Sequence, residues 1–307
     1  MIYPTIKQLR YFVALCDEGH FGRAAAQSFV SQSAFSSAIQ DLENLLEAQL
    51  VDRTRRQVTI TTIGQEIATQ ARLCLRDVES LVEIAGQRKK PLSGPLRLGV
   101  IPTIAPFLLP GLLPGLRKRY PDMKLYLTED QTERLHARLL DGELDLVLLA
   151  LPYELRSTET LPLFHDRFCL AVREGSDAVD PENYRFNRLQ ADSILLLEDG
   201  HCLREHALAA CKIRNTEKVA RFAASSLLTL VEMVDADLGI TFLPAMARDS
   251  ALLRNTRVKL HPLDENSYRE IGLVWRKGSA RSDEFHLLGD FILQHREKSR
   301  AKSGRGA

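Results

Sequence analysis

The apolar residues of this chain change their spacing once, near residue 90, and this change constrains the fold more than any other feature. Before it, apolar residues recur at helical intervals. After it, short apolar runs alternate with helical stretches. The intervening residues 89–95 (KKPLSGP) have the charge, proline and glycine of a hinge. The 307 residues are therefore expected to hold about two domains, a helical one followed by a larger α/β one.

The first fifty residues have the spacing of a helix–turn–helix unit. Apolar positions predict helices over residues 5–16 and 21–27, and Ser31 stands where the N-cap of a third helix belongs. The apolar stripe of that third helix comprises Phe35, Ala38, Ile39, Leu42 and Leu46. Its opposite face has no carboxylate before Asp41 and carries Gln32, Ser33, Ser36, Ser37 and Gln40. Such short polar side chains can approach phosphates and base edges closely.

A basic hairpin is predicted to follow. Arg53, Arg55 and Arg56 precede residues 58–61 (VTIT), whose alternation indicates a half-buried strand. A helix–turn–helix followed by such a hairpin is the plan of a winged DNA-binding domain. The candidate DNA contacts are then Ser31, Gln32, Ser33, Ser36, Ser37, Gln40, Arg53, Arg55 and Arg56. On residues alone, a small helical domain with a solvated polar face is an equally good interpretation.

Charge and cysteine content narrow the class of protein. Lysine and arginine number 41 against 40 aspartate and glutamate residues, so the net charge of +1 gives no overall attraction to nucleic acid or membrane. Any anionic partner must be held by a local patch. The five cysteines, an odd number in a long chain, do not fit a secreted disulfide framework. The sequence begins without signal-peptide features and has no apolar run of about 18 residues, so we expect a cytoplasmic protein with no membrane segment.

A long helix is predicted between the two parts. Thr62 and Gln65 form a capping box, and the helix is expected to continue to about Lys90. Its apolar stripe comprises Ile63, Ile67, Ala71, Cys74, Val78, Leu81 and Ala85. A rod of about 42 Å is too long for the small N-terminal domain to cover, so we expect it to pair with a second copy of the chain. Cys74 is then interpreted as a small core residue.

Five short segments resemble the N-terminal domain of LysR-type transcriptional regulators. They are residues 24–26 (AAA), 30–36 (VSQSAFS), 39–43 (IQDLE), 50–55 (LVDRTR) and 61–64 (TTIG). The resemblance implies a winged helix-turn-helix DNA-binding domain at 1–62, which is α-helical with a small β wing. It also implies a linker and dimerisation helix with the hinge at 63–92 and an effector domain at 93–307. Promoter DNA, RNA polymerase and further copies of the chain, as a homodimer or homotetramer, are the partners it implies.

Beyond the hinge the sequence predicts alternating strands and helices, which favour a parallel sheet covered by helices. Strands are expected at 96–101, 124–128, 144–149, 168–172, 194–197, 221–223, 240–243 and 271–275, and helices at 105–119, 131–141 and 283–297, with a frayed tail from residue 294. The pattern resembles the periplasmic-binding-protein-like α/β effector domain of the same family. One lobe would cover about 93–166 and 271–297, and the other about 167–270. Thr103 stands where small anions bind between such lobes, although without the resemblance a plain helix cap is the favoured explanation.

Two cysteines in the segment 198–211 (EDGHCLREHALAAC) are the most informative residues of this part. Eight residues separate Cys202 from Cys211 and there is no CxxC, so no metal site is expected. The segment favours a helix capped by Asp199 or Gly200, which would hold the two Cα atoms about 13.5 Å apart. A disulfide needs roughly 4.4–6.8 Å. Either the two cysteines never meet, or their meeting remodels the segment.

Local chemistry distinguishes the two thiols. His201, Arg204 and a helix N-terminus all favour a Cys202 thiolate, whereas Cys211 has no such help. Spacing alone favours the interpretation that both are ordinary buried cysteines. Cys16 and Cys169 have apolar neighbours and are interpreted as structural.

The run 200–204 (GHCLR), with a second cysteine nine residues after the first, resembles the peroxide-sensing group of the LysR family. That resemblance implies that Cys202 is the peroxidatic thiol and Cys211 the resolving one. It implies that Thr103 orients peroxide, and that His201 and Arg269 polarise it. Glu205 stands where this group often has aspartate. No cofactor is implied.

The implied function is a reversible disulfide switch rather than an enzyme. Hydrogen peroxide is the signal, and a thiol reductant such as glutaredoxin or thioredoxin is the implied partner that resets it. Two alternatives remain. One is a LysR-type regulator that senses a small metabolite between the lobes, with incidental cysteines. The other is a thiol peroxidase, which would need no DNA-binding domain, so residues 1–62 argue against it.

Overall fold

The computed structural model of the chain describes residues 3–53, 58–86, 91–181, 184, 189–211 and 216–303. Contacts between residues divide the chain into two compact units, Met1–Lys90 with Leu140–Glu143, and Pro91–Leu139 with Leu144–Ala307. Within the described part of the chain, no helix is long and apolar enough to cross a membrane.

The first unit is a winged helix–turn–helix followed by a long helix. Its elements are α1 (Ile6–Glu18), α2 (Phe21–Gln27), α3 (Gln32–Leu46), β1 (Val51–Arg53), β2 (Val58–Ile60) and α4 (Thr62–Gly86). The strands β1 and β2 pair antiparallel, as a wing requires. Ser31 caps α3, since its hydroxyl accepts a hydrogen bond from the backbone N–H of Ala34 at 3.3 Å.

The core of this unit forms on the predicted stripe of α3. Phe35, Ile39 and Leu42 are fully buried, and they pack in one cluster with Phe12 and Leu15 of α1. The opposite, polar face of α3 is left toward solvent. The stripe therefore fixes which face of α3 is available to a ligand.

A buried carboxylate that the sequence did not reveal joins α3 to the wing. Glu43 Oε1 accepts hydrogen bonds from the backbone N–H groups of Leu50 at 2.9 Å and Val51 at 3.1 Å. These two donors lie at the start of β1, and the carboxylate satisfies both of them. The carboxylate thus anchors the wing to the helix that precedes it.

One expectation about α4 was wrong. The helix is capped by Thr61 rather than by Thr62, because the Thr61 hydroxyl accepts from the N–H of Gly64 at 3.0 Å and donates to the carbonyl of Gln49 at 2.8 Å. Cys74 is exposed within the single chain, so its packing in a pair of α4 helices stays a prediction. Leu81 on the same stripe is 65% exposed, so much of the apolar side of α4 faces outward within one chain.

The second unit contains fourteen described helices and strands. They are β3 (Gly94–Val100), α5 (Ala105–Arg119), β4 (Met123–Glu129), α6 (Thr132–Leu140), β5 (Leu146–Leu151), β6 (Thr158–Arg173), β7 (Ile194–Leu197), α7 (Cys202–Ala210), β8 (Val219–Ala224), α8 (Leu227–Asp235), β9 (Thr241–Pro244), β10 (Val258–Pro262), β11 (Tyr268–Arg276) and α9 (Ser282–Ser303). Sequence analysis missed α8 and β10. It also expected a frayed tail from residue 294, whereas α9 continues to Ser303.

The sheet is mixed rather than parallel throughout. β3 pairs parallel with β4 and β5, and β7 pairs parallel with β8, as the alternating pattern predicts. However, β6 pairs antiparallel with β9, β10 and β11. The reason is that the chain passes outward along the long strand β6 and returns beside it through β10 and β11, so the two directions are opposed.

The long strand β6 contributes residues to two hydrophobic cores, one toward each of its ends. The first core includes β3, β5, β11, α5 and α9, and the second includes β7, α8, β9 and the end of β6. The helix α7 contributes to both, because Cys202 packs in the first core while Leu203 and Ala207 pack in the second. The cysteine-bearing helix therefore sits where the two cores meet.

Candidate functional site

A buried ion pair joins β6 to β11 where these two strands pass between the two cores. Asp166 of β6 and Arg269 of β11 are directly opposite one another in the antiparallel register. Arg269 Nε and Nη2 each lie 3.1 Å from Asp166 Oδ2, and both residues are only 1% exposed. The other carboxylate oxygen accepts from the N–H of Met246 at 3.2 Å. Both charges are thus paired and hydrogen-bonded, as burial demands.

The same guanidinium holds the candidate residue Thr103. Arg269 Nη1 donates to the Thr103 hydroxyl at 2.8 Å, and Nη2 donates to its carbonyl at 2.8 Å. The alternative of a plain helix cap is excluded, because α5 begins after Ile104 and has no side-chain cap hydrogen bond. Thr103 and Arg269, 166 positions apart in sequence, are therefore brought into direct contact.

Cys202 lies close to this cluster, at the first position of α7. It is 9% exposed, and burial raises the pKa of its thiol above the ordinary value of 9.0. The hydroxyl of Thr132, the charge of Arg269 and a backbone hydrogen bond from Ala150 act in the opposite direction and lower this pKa. The expectation of a thiolate stabilised by His201 and Arg204 was wrong in sign, because local sequence carries no information on burial.

Thr132 is the site residue that sequence analysis missed. It begins α6 and is 1% exposed, and its hydroxyl has no conventional hydrogen-bond partner among the described residues. The Thr132 hydroxyl lies near enough to Cys202 to lower the pKa of that thiol, although no regular hydrogen bond joins them. A buried hydroxyl without a partner costs free energy, and this is a recurring property of functional sites.

The remaining candidates around Cys202 are placed differently from one another. His201 is buried and precedes α7, but its side chain makes no capping hydrogen bond, and neither Asp199 nor Gly200 is the cap. Arg204 donates to the carbonyl of Leu197 at 3.2 Å and pairs with Asp199. Glu205 is exposed and its charge acts on Tyr153 and His206, so it does not share the buried environment of Cys202.

A close packing contact holds the loop before Cys202 against α6. Gly200 has a φ of +94°, and a Cβ atom added to it would lie 2.8 Å from Gln131 Oε1. Only glycine combines this backbone conformation with this approach at little cost. The contact places the start of α7 beside the start of α6, which brings Cys202 to Thr132.

Cys211 is the C-cap of the same helix and is not close to Cys202. Both cysteines are free thiols, and the helix between them is unbroken over nine residues. At 1.5 Å per residue their Cα atoms are about 13.5 Å apart, as the sequence predicted. Burial raises the pKa of Cys211 to about 12. Among the described residues, no group of three His, Cys, Asp or Glu side chains is arranged to hold a metal ion.

The candidate DNA-contacting residues lie on one face of α3. Ser31, Gln32, Ser33, Ser37 and Gln40 are exposed and Ser36 is partly exposed. The backbone of Arg53 ends β1, while Arg55 and Arg56 fall outside the described residues.

Comparisons with known proteins identify both parts of the chain. Residues 6–65 match the bacterial regulatory helix-turn-helix protein family named lysR, and residues 89–297 match the LysR substrate binding domain. The chain belongs to the LysR family of transcriptional regulators.

Particular LysR regulators are similar over nearly the whole chain. The regulator EstR of Acinetobacter baylyi is 38% identical over 290 residues, 94% of this chain and 96% of that protein. The dual regulator OxyR of Escherichia coli is 40% identical over 288 residues, 94% of each chain, as are Escherichia coli relatives named hydrogen peroxide-inducible genes activator. A solved full-length OxyR from Pseudomonas aeruginosa, in which one cysteine is replaced by aspartate, is 33% identical with a TM-score of 0.78, covering 95% of this chain and 98% of that one. The LysR resemblance, and within that family the resemblance to the peroxide-sensing group, OxyR, is thereby confirmed.

The ion pair leads to a test of stability. We expect Arg269→Met to lower the free energy of unfolding by about 3–5 kcal/mol, because it leaves the Asp166 carboxylate buried and unpaired. Arg134→Met is the matched control: Arg134 pairs with Asp130 at 3.4 Å on the surface, and its loss should cost under about 1 kcal/mol. Urea denaturation of both variants measures the difference, and equal losses would contradict the assignment.

The effect of Arg269 on Cys202 leads to a second test, the pH dependence of Cys202 alkylation. Because the pKa of Cys202 is raised, its alkylation should speed up as the pH passes above the ordinary thiol range. In Arg269→Met the same rise should need a still higher pH, because the positive charge that lowers this pKa is gone. Peptide mapping of the alkylated cysteines follows Cys202 separately from the exposed Cys74.

Proposed function

We propose that this LysR regulator senses hydrogen peroxide through Cys202 and reports it through a reversible disulfide with Cys211. The observation that carries the proposal is the environment of Cys202, a buried thiol between an unpartnered hydroxyl and a buried guanidinium, with a second thiol at the other end of the same short helix. The names of the OxyR relatives support it, since several of them refer to induction by hydrogen peroxide.

The first chemical step is attack of the Cys202 sulfur on one peroxide oxygen. The thiol loses its proton, a sulfur–oxygen bond forms, the oxygen–oxygen bond breaks, and the departing hydroxide takes up a proton and leaves as water, giving a sulfenic acid. Burial disfavours the thiolate, whereas Thr132, Arg269 and the helix N-terminus favour it. Burial also restricts access to the Cys202 sulfur to small oxidants. Hydrogen peroxide is small, and it contains both the oxygen that bonds to sulfur and the oxygen that leaves.

Individual residues have distinct roles in this step. Thr132 and Thr103 hold peroxide through their hydroxyl groups, one beside Cys202 and one on the Arg269 guanidinium. Arg269 and His201 polarise the bound peroxide and stabilise the departing hydroxide. Glu205, being exposed, acts on the site only through the charge it presents to its neighbours.

The second step joins the two cysteines. The Cys211 thiol attacks the Cys202 sulfenic acid, a disulfide forms and water leaves. Since helical geometry separates the two Cα atoms by about 13.5 Å, α7 must unwind for the bond to form. Because α7 packs on both hydrophobic cores, its loss alters how they meet, and the effector domain adopts a second packing.

The DNA-binding unit converts this change into altered promoter occupancy. The polar face of α3 enters the major groove, with Ser31, Gln32, Ser33, Ser36, Ser37 and Gln40 toward the bases, and Arg53, Arg55 and Arg56 hold the backbone. Pairing of α4 gives a homodimer, and two dimers a homotetramer, so that oxidation re-spaces the recognition helices. RNA polymerase responds to the re-spaced complex, and a cytoplasmic thiol reductant such as glutaredoxin or thioredoxin resets the switch. Oxidation of Cys202 is therefore a signal rather than sustained turnover.

A second candidate function is supported by the similarity to EstR, whose name does not mention peroxide. In that case a small metabolite binds between the two cores, beside Thr103 and Arg269, and the cysteines are incidental. The two candidates differ in whether substitution of Cys202 abolishes the response.

Serine variants of the two cysteines separate the steps. We expect the wild type to lose two titratable thiols per chain on exposure to peroxide, Cys202→Ser to lose none, and Cys211→Ser to accumulate sulfenic or over-oxidised Cys202. Intact-mass spectra before and after peroxide measure each product, and Cys74→Ser is the matched control because that thiol is exposed but plays no part. An unchanged transcriptional response in Cys202→Ser would favour the metabolite reading.

The recognition face of α3 leads to a test of DNA binding. We expect Gln32→Ala and Gln40→Ala each to lose about 1–3 kcal/mol of binding free energy on DNA selected from a random pool, with little effect on unselected DNA. Arg55→Ala should weaken both equally and lower the salt dependence by about one unit of slope. Gln70→Ala is the control, since Gln70 is an exposed glutamine on α4. Fluorescence anisotropy over a range of salt concentrations measures all four, and loss in Gln70→Ala comparable to Gln32→Ala would refute the assignment of α3.

A further inference from the structure

The helix α7 has neither a side-chain N-cap hydrogen bond nor a left-handed C-cap residue. It is only nine residues long, its N-cap residue His201 makes no side-chain hydrogen bond, and its C-cap Cys211 has a negative φ of −86° rather than a left-handed conformation. Isolated helices of this length are unstable in water. Contacts made from outside the helix must therefore hold it.

One such contact is made by His206. Its Nε2 lies 3.0 Å from the carbonyl oxygen of Pro152, in the loop after β5. A carbonyl oxygen only accepts, so Nε2 carries the proton and Nδ1 of the neutral ring is bare. Nδ1 is buried with no hydrogen-bond partner in the described part of the chain, and burial lowers the pKa of this histidine. The ring is thus held in one tautomer that donates to Pro152.

A second contact is made by Ser267, in the loop between β10 and β11. The Ser267 hydroxyl donates to the carbonyl of Ala210, the last residue of α7, at 3.2 Å. This carbonyl is one of those left without a partner at a helix C-terminus. The backbone N–H of Ser267 donates to the carbonyl of Asp264 at 2.9 Å, and the residue is buried, so the hydroxyl is fixed in place.

We propose that His206 and Ser267 are latches that hold α7 helical in the reduced protein and thereby set how fast Cys211 reaches an oxidised Cys202. This inference rests on the proposed function. Both hydrogen bonds join a residue between the two cysteines to a loop outside α7. His206 is bonded to the loop after β5, and Ala210 is bonded to the loop before β11. Since the disulfide requires this stretch to unwind, both hydrogen bonds must break before the sulfurs meet.

The latches act on the second chemical step and not on the first. Neither hydrogen bond involves Cys202, Thr132, Thr103 or Arg269, so the groups assigned to the attack on peroxide keep their own contacts when either bond is removed. His206 and Ser267 are therefore positioning residues. Their strength decides how long the sulfenic acid persists, and hence how readily a second peroxide over-oxidises Cys202.

The test follows both steps by intact-mass spectrometry after rapid mixing of the full-length reduced protein with hydrogen peroxide. We expect Ser267→Ala and His206→Ala each to speed the conversion of sulfenic acid to disulfide about two- to tenfold, the effect of one hydrogen bond. Formation of the sulfenic acid, measured in a Cys211→Ser background, should be unchanged. The sign is informative for His206→Ala, because alanine is the better helix former and its propensity alone would slow unwinding.

Two controls guard against an unspecific effect of the substitutions. Ser267→Thr keeps the hydroxyl donor and should restore the wild-type rate. Ser250→Ala removes a similar bond, from the Ser250 hydroxyl to the carbonyl of Ala247 at 2.6 Å, which joins two residues outside α7, and should not change the rate.

Distinct outcomes overturn distinct claims. Unchanged conversion rates in both alanine variants, with a disulfide that still forms in the wild type, would refute the latches and leave the proposed function intact. Equal acceleration in Ser250→Ala would refute them as well. Absence of any Cys202–Cys211 disulfide in the wild type would overturn the proposed function and the latches together.

Discussion

The buried pair of Arg269 and Asp166 is the interaction on which the rest of the effector unit depends. Neither charge can be left alone in an interior site, so the two strands that carry them must stay in register where they pass between the cores. Nη1 and Nη2 of the same guanidinium also hold Thr103, by its hydroxyl and its carbonyl respectively. One guanidinium thus fixes the crossing strands and the turn that follows β3.

The charge of this guanidinium also sets the chemistry nearby. It lowers the pKa of Cys202 against the larger effect of burial, and it helps keep His206 neutral. Burial therefore favours the protonated thiol form of Cys202, and the positive charge of Arg269 partly offsets this effect. Such a balance suits a sensor, since it keeps the sulfur unreactive toward bulky oxidants while leaving groups in place to stabilise the charge once a small one binds.

The periodic parts of the fold could be predicted from the sequence. The helix at residues 21–27 and the helix at 105–119 were predicted with the bounds that the structure has, because residue composition and apolar spacing are local properties. The direction of β6 against β11 could not be predicted, since it depends on a partner about a hundred residues away. Glu43 is only seven and eight residues from the two backbone N–H groups that it satisfies, but no periodic pattern in the sequence shows that the intervening turn brings them together.

The candidate site divides along the same line. The motif around Cys202 and the helical separation of the two cysteines follow from the sequence and a family resemblance. Thr132 was missed because it lies 70 positions before Cys202 and comes to it only through the packing of α6 against the loop at Gly200. The direction in which the Cys202 pKa shifts was predicted wrongly. A sequence shows which charged residues stand next to the cysteine along the chain, whereas burial is a property of the folded chain.

In the proposed mechanism, peroxide converts α7 from a helix into an unwound, disulfide-bonded segment. Hydrogen exchange of residues 199–211, compared between the reduced and the peroxide-treated protein, measures this change, with the buried strand β7 as an internal reference. We expect the amides of α7 to lose protection on oxidation, β7 to keep its own, and a thiol reductant to restore the original pattern. Unchanged protection of α7 in protein that carries the Cys202–Cys211 disulfide would refute the unwinding.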